Sequence, residues 1–227
     1  MRIVLFSAEI ELDFSSNEIP VLEICNDAYL FDIIKELKFP STEKEIREII
    51  IYENNKELNI SRELFLLIDP FSIDLNSRSI TTEFYKKINN IYLAEAEVSS
   101  EINSIYRNLT TQLEKLIMEL EIDYKIKTDF DTKDLLKALG LEIVETLEDP
   151  FSSLLSFISI VSALKLFKLI ALVNPRCFLK EQELSELYKV SSYKEVPILV
   201  LQNKSYYRLP NEAKILIDEE LFSRIEK

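Results

Sequence analysis

The chain has 227 residues, 27 Lys or Arg against 40 Asp or Glu, and a formal charge of −13. An apolar content of 47%, with 13 Phe and 10 Tyr, supplies a core for one large domain or two small ones and excludes a disordered chain. A single glycine and no histidine exclude glycine-rich phosphate loops, Ser/His and Cys/His nucleophile pairs and most imidazole metal sites.

In chain order, the first apolar run, IVLF from Ile3, is broken by Glu9 and Glu11, unlike a signal peptide. No later run approaches the roughly 20 residues that cross a bilayer, so no membrane partner and a cytoplasmic location are expected. Cys25 and Cys177 form no CxxC pair and read as reduced thiols. IVLF, EIIIY from Glu48, LFLLI from Leu64, LIALV from Leu169 and PILVL from Pro197 are apolar at nearly every position, which predicts strands covered on both faces. Between Pro70 and Pro150 there is no proline, which predicts a largely helical stretch. There Ile80, Phe84, Ile88 and Ile91 mark a helix over 77–93, and Val98, Ile102, Ile105, Leu109, Leu113, Leu116 and Leu120 mark one face of a long helix. Two such stripes are expected to pack together. A short helix over 132–139 should end at Gly140 in the left-handed conformation. The following FSSLLSFISIVSALKLF is apolar nearly all round and predicts a buried helix under a sheet. Leu184, Leu187 and Tyr188 give helical spacing between LIALV and PILVL, so strand, helix and strand form a parallel crossover. The fold class is α/β: residues 1–72 and 141–227 form an α/β domain, and residues 73–140 a helical insertion.

Two clusters could carry chemistry. Glu119, Glu121, Asp123, Asp129 and Asp131 leave the long helix through an irregular segment, and hard oxygen ligands at short spacing are what calcium or magnesium takes. Such a run is ordinarily solvated surface, and it lacks the glycine of an EF-hand loop. The second cluster is basic. Residues 73–140 hold nine Lys or Arg against twelve acids, a net −3, whereas the rest of the chain is −10. Lys86, Lys87, Lys115, Lys125, Lys127, Lys133 and Lys137 lie in that interval, and lysines without aromatic platforms suit duplex backbone better than base reading. Ordinary pairing with acids three or four residues away is the alternative. Asp69 after LFLLI and Asp218 after KILI sit where α/β folds keep their sites, but no nucleophile, base or phosphate loop accompanies them. The chain is therefore read as a non-enzyme. Tyr206, Tyr207 and Arg208 are either an interface patch or partly buried aromatics.

The segments LLKALG, LIALVN, ELSELY and PILVL between Asp131 and Lys204 resemble the type II-A CRISPR adaptation proteins, ring-forming subunits that bind DNA ends in spacer acquisition. The resemblance implies a P-loop-less ATPase-like α/β head with an inserted α-helical leg. It further implies a calcium-stabilised homotetrameric ring that takes linear double-stranded DNA ends and serves antiviral defence. Calcium would fall to Glu119, Glu121 and Asp123, with Asp129 and Asp131 as further ligands, and DNA to the seven lysines. The alternative is a protein–protein scaffold that bridges the CRISPR integrase and effector nuclease without strong DNA binding. A third reading, a metal-dependent phosphoesterase on the acidic cluster, predicts DNA turnover.

Overall fold

Strands and helices alternate along both ends of the chain, while the middle is helical. A computed structural model describes residues 2–13, 18–41, 47–53, 55–120, 122–127, 129, 131–144, 149–204 and 206–226. It contains β1 (Arg2–Leu5), β2 (Ile10–Asp13), β3 (Ile19–Ile24), α1 (Asp27–Lys38), β4 (Ile49–Glu53), β5 (Lys56–Glu57), α2 (Ile60–Glu63) and β6 (Leu64–Leu67). Then come α3 (Arg78–Ala94), α4 (Ala96–Met118) and α5 (Thr132–Ala138), followed by α6 (Pro150–Leu164), β7 (Leu169–Val173), α7 (Glu181–Tyr193), β8 (Ile198–Gln202), β9 (Glu212–Ile217) and β10 (Ser223–Glu226). The chain divides into two units, Met1–Ile73 with Glu145–Lys227, and Asp74–Val144.

The first unit is built on two sheets. Among the described residues one sheet has six strands in the order β10-β9-β3-β8-β7-β6, parallel except for the edge strand β10. The other is antiparallel, in the order β2-β1-β4-β5. The strand, helix, strand unit β7-α7-β8 is parallel, and both strands are buried at every residue. Successive side chains of a strand point to opposite faces. Leu169, Ala171, Val173, Leu199 and Leu201 accordingly join α1 residues Leu30, Ile33 and Leu37 in one core cluster, with Ile3, Leu5, Ile49 and Ile51 of the smaller sheet. Helix α1 thus lies between the two sheets. On the opposite face Phe65 of β6 meets Phe157 of α6 at 4.4 Å between ring centroids, and α7 buries Leu184, Leu187 and Tyr188.

One expectation is corrected here, and one strand went unread. IVLF is not covered on both faces: it forms β1 of the antiparallel sheet and buries alternate residues only, while EIIIY forms β4 beside it with Ile49, Ile50 and Ile51 all buried. A two-layered protein needs one apolar face per strand, and the solvent side of β1 carries Arg2 over the Tyr52 ring instead. The central strand β3, which no apolar run announces, carries Pro20 and Glu23, residues uncommon inside a sheet, and all six of its residues are buried. Pro20 stands near its start, and Glu23 is neutralised by Lys214 of neighbouring β9 at 2.6 Å.

Candidate nucleic-acid interface and acidic segment

The second unit holds the residues that charge and spacing single out. Helix α3 has Ile80 buried and returns the hydroxyls of Thr81 and Thr82 to carbonyls at Ser77 and Arg78. It ends at Glu95, which also begins α4. Asn103 of α4 donates to the Tyr92 hydroxyl of α3 at 2.9 Å, joining the two helices. Their stripes do not bury each other. Helix α4 has no buried residue, and Ile105, Leu116 and Leu120 keep 61%, 62% and 63% of their surface exposed. Two helices bury only the face they share, and α3 also packs against α5.

Helix α5 is fixed at both ends. Asp131 accepts from the Lys133 amide at 2.8 Å. Gly140, at φ +64°, lets its own amide reach the Lys137 carbonyl at 3.0 Å and the Leu141 amide reach the Leu136 carbonyl at 3.1 Å. These are the two hydrogen bonds of a Schellman motif, and only glycine adopts that backbone without strain. The chain beyond α5 is stapled to α3: the Asn76 side chain both donates to and accepts from the Ile143 backbone, and the Tyr85 hydroxyl donates to the Leu141 carbonyl.

All seven lysines are exposed: Lys86 and Lys87 on α3, Lys115 in the last turn of α4, Lys125 and Lys127 in the extended segment after it, Lys133 and Lys137 on α5. Lys133 and Lys137, four residues apart, share one face. Among the described residues only Lys86 of the seven is in an ion pair, with Glu83 at 3.2 Å. Lys127 is positioned by Tyr106, whose hydroxyl donates to its carbonyl at 3.1 Å across 21 residues, a contact with no local sequence signal.

Of the five carboxylates, Glu119 caps α4, Asp123 and Asp129 are exposed in the extended segment, and Asp131 commits one oxygen to α5. Glu121 lies outside the described residues. Among the described residues no group of three or more such side chains gathers around a point. The donors have the hard-oxygen chemistry that calcium takes, but the described carboxylates of one chain do not converge into a cage.

In the first unit Asp69 and Asp218 serve turns, accepting from the amides of Phe71 and of Glu220 and Phe222. Where a phosphate loop would follow the first parallel strand, Asn26 caps α1 through the Tyr29 amide and donates to the Glu219 carbonyl. Asn203 donates to Asp27 at 3.2 Å. The Cys25 thiol there is pushed up by burial and then by the Glu23 charge. The Asp27 carboxylate in the first turn of α1 opposes a phosphate there. Sequence reasoning missed a group of buried polar side chains elsewhere in the first unit. Glu212 accepts from Arg176, from the Tyr188 hydroxyl at 3.0 Å and from the Leu209 amide. Burial, then that carboxylate, hold the Tyr188 phenol well above its ordinary range. Of the aromatic pair, Tyr206 lies under the Arg176 guanidinium and Tyr207 is exposed.

Together these features define an α/β protein with a helical insertion and no phosphate loop. A family profile described as CRISPR-associated protein (Cas_Csn2) matches residues 41–221, and the chain belongs to that family. Its role accordingly lies in CRISPR adaptation. CRISPR-associated protein Csn2 of Enterococcus faecalis is 24% identical over 168 residues, covering 73% of this chain and 74% of that protein. CRISPR-associated protein Csn2 of Streptococcus agalactiae is 23% identical over 194 residues, covering 86% and 80%. The crystal structure of Stu0660 of Streptococcus thermophilus shares the fold, with a TM-score of 0.56 at 12% identity over 100% of this chain and 76% of that one. Among the described residues no helix is long and apolar enough to cross a membrane.

Proposed function

We propose that the protein is a non-enzymatic, sequence-nonspecific binder of linear double-stranded DNA ends in spacer acquisition, acting as a calcium-stabilised tetrameric ring. The observation that carries this is the set of exposed lysines in the second unit, six of the seven outside any ion pair among the described residues. Such ammonium groups contact phosphates and release counterions without reading bases. The open apolar face of α4 supports self-association. Calcium, held by Glu119, Glu121 and Asp123 with Asp129 and Asp131 as further ligands, supplies positive charge that offsets their repulsion.

Fluorescence anisotropy with blunt linear and closed circular duplexes, in calcium and then in chelator, tests this. The expected result is binding to linear duplex alone, dependent on calcium and falling steeply with salt. Equal affinity for both DNA forms would sink the threading model. Turnover of DNA with magnesium or manganese would instead favour a phosphoesterase. A second reading, a scaffold between the CRISPR integrase and effector nuclease, is favoured by Tyr193 and Tyr207, which stand 85% and 90% exposed. A pull-down that survives nuclease treatment, from a protein without affinity for DNA, would support it.

A further inference from the structure

Helices α3 and α4 meet at a single residue. Glu95 closes α3, its amide donating to the Ile91 carbonyl at 3.1 Å, and opens α4, its carbonyl accepting from the Ser99 amide at 2.9 Å. Between those two bonds its backbone, at φ −105° and ψ 89°, leaves the helical region. The amides of Ala96, Glu97 and Val98 are thereby turned from the carbonyls of Tyr92, Leu93 and Ala94 that an unbroken helix would offer them.

The local sequence favours helix through this point. No proline or glycine stands between Arg78 and Met118, and Leu93, Ala94, Glu95, Ala96 and Glu97 are all strong helix formers. The Glu95 side chain does not cap α4, and residues 93–98 are all exposed, so burial does not hold the break in place. The apolar stripes also keep one register across it. Phe84, Ile91, Val98 and Ile105 recur every seven residues, and Ile88, Ile102, Leu109 and Leu116 fall in a second series of the same period, with Glu95 in its open position. The second series follows the first by four residues, which makes one heptad seam running from α3 into α4. Helices that meet at a fixed corner need no common phase.

A contact between the helices goes with the break. Asn103 Nδ2 donates to the Tyr92 hydroxyl at 2.9 Å. From residue 92 to residue 103 a straight helix rises about 16 Å, farther than a tyrosine and an asparagine side chain reach together, so this bond and a straight helix exclude each other.

We propose that Glu95 is a hinge, latched in the bent form by the Tyr92–Asn103 hydrogen bond, and that release of the latch joins α3 and α4 into one helix over Arg78–Met118, about 60 Å long. The Ala96, Glu97 and Val98 amides gain helical partners as the latch and the packing between the two helices are lost, so the two forms trade like for like. Straightening moves Lys115 away from Lys86 and Lys87. The hinge belongs to the second unit alone and does not depend on the DNA-end reading.

Nitroxides at Lys87→Cys and Lys115→Cys report the hinge by double electron–electron resonance, in a full chain that carries Cys25→Ser and Cys177→Ser and is diluted in excess unlabelled chain. In a continuous helix the two labelled positions stand about 42 Å apart. The parent should give a shorter distance. Asn103→Leu and, independently, Tyr92→Phe should move population to about 42 Å. Ala96→Pro should keep the short distance, because the first position of a helix accepts proline, whereas inside one helix its ring would meet the Tyr92 carbonyl. Added to Asn103→Leu, it should erase the long distance. The hinge is refuted if both latch variants keep the parent distance, or if the long distance survives Ala96→Pro. No DNA is present, so this result and that of the DNA-end reading are separate.

Discussion

Lys214 carries its ammonium into the six-stranded sheet, 2% exposed, where Glu23 and the Tyr206 carbonyl receive it at 2.6 and 2.9 Å. Removing one member of such a pair leaves the other charged and buried. Lys214→Ala should therefore cost about 3–5 kcal/mol in urea unfolding, while the double change Glu23→Leu with Lys214→Met should recover most of it. Gly140 is a different case, because a Cβ there would meet nothing within 4 Å and only its φ of +64° matters. Gly140→Ala should cost about 1 kcal/mol and show as faster amide hydrogen exchange in α5. The glycine was legible in the sequence as a helix stop. The Glu23–Lys214 pair was not, since 191 residues separate partners that β3 and β9 bring together. At the surface, Lys86→Glu with Lys87→Glu should weaken DNA binding by about tenfold at low salt while stability changes by less than about 0.5 kcal/mol. Unchanged anisotropy would remove these lysines from the interface.

Among elements, helices were the most readable. The 3-and-4 spacing marks α3, α4 and α7 because a stripe repeats on every turn and needs no knowledge of its partner. What covers a stripe is another matter: α4 shows every sign of a packing face, but no residue of it is buried in this chain. If that face joins copies, Leu109→Asp with Leu116→Asp should yield a folded monomer by gel filtration with light scattering. Both side chains are more than half exposed, so melting of the single chain should hardly change. A tetramer that persists would reject α4 as the contact. Strands were harder: β7 and β8 declare themselves as unbroken apolar runs, whereas β3 hides behind Pro20 and Glu23.

On the scale of the molecule, its two sheets are linked at Lys168, which pairs with Glu53 of β4 at 2.8 Å and Glu63 of α2 at 2.7 Å. Those carboxylates hold the Lys168 ammonium above its ordinary value near 10.5, and the same contact draws Glu63 below its ordinary 4.5. A lowered acid contributes stability above its unfolded value and loses it as pH falls through the folded one. A raised lysine contributes below 10.5 and loses it as pH rises through its folded value. The link should thus hold across neutral pH, and Lys168→Ala should move the acid unfolding midpoint to higher pH. An unshifted midpoint would show that the exposed pair is screened to nothing. The sequence by itself determined the α/β class, the helical middle, the lack of a phosphate loop and the charge contrast between 73–140 and the rest. These depend on composition and on periods of two or 3.6 residues, which are local. Only the tertiary structure decided that the apolar runs split between two sheets, that α4 is left open, and that Arg176 is buried against Glu212. Each of those depends on which distant segments meet, and burial and hydrogen-bond satisfaction are properties of the meeting rather than of either segment.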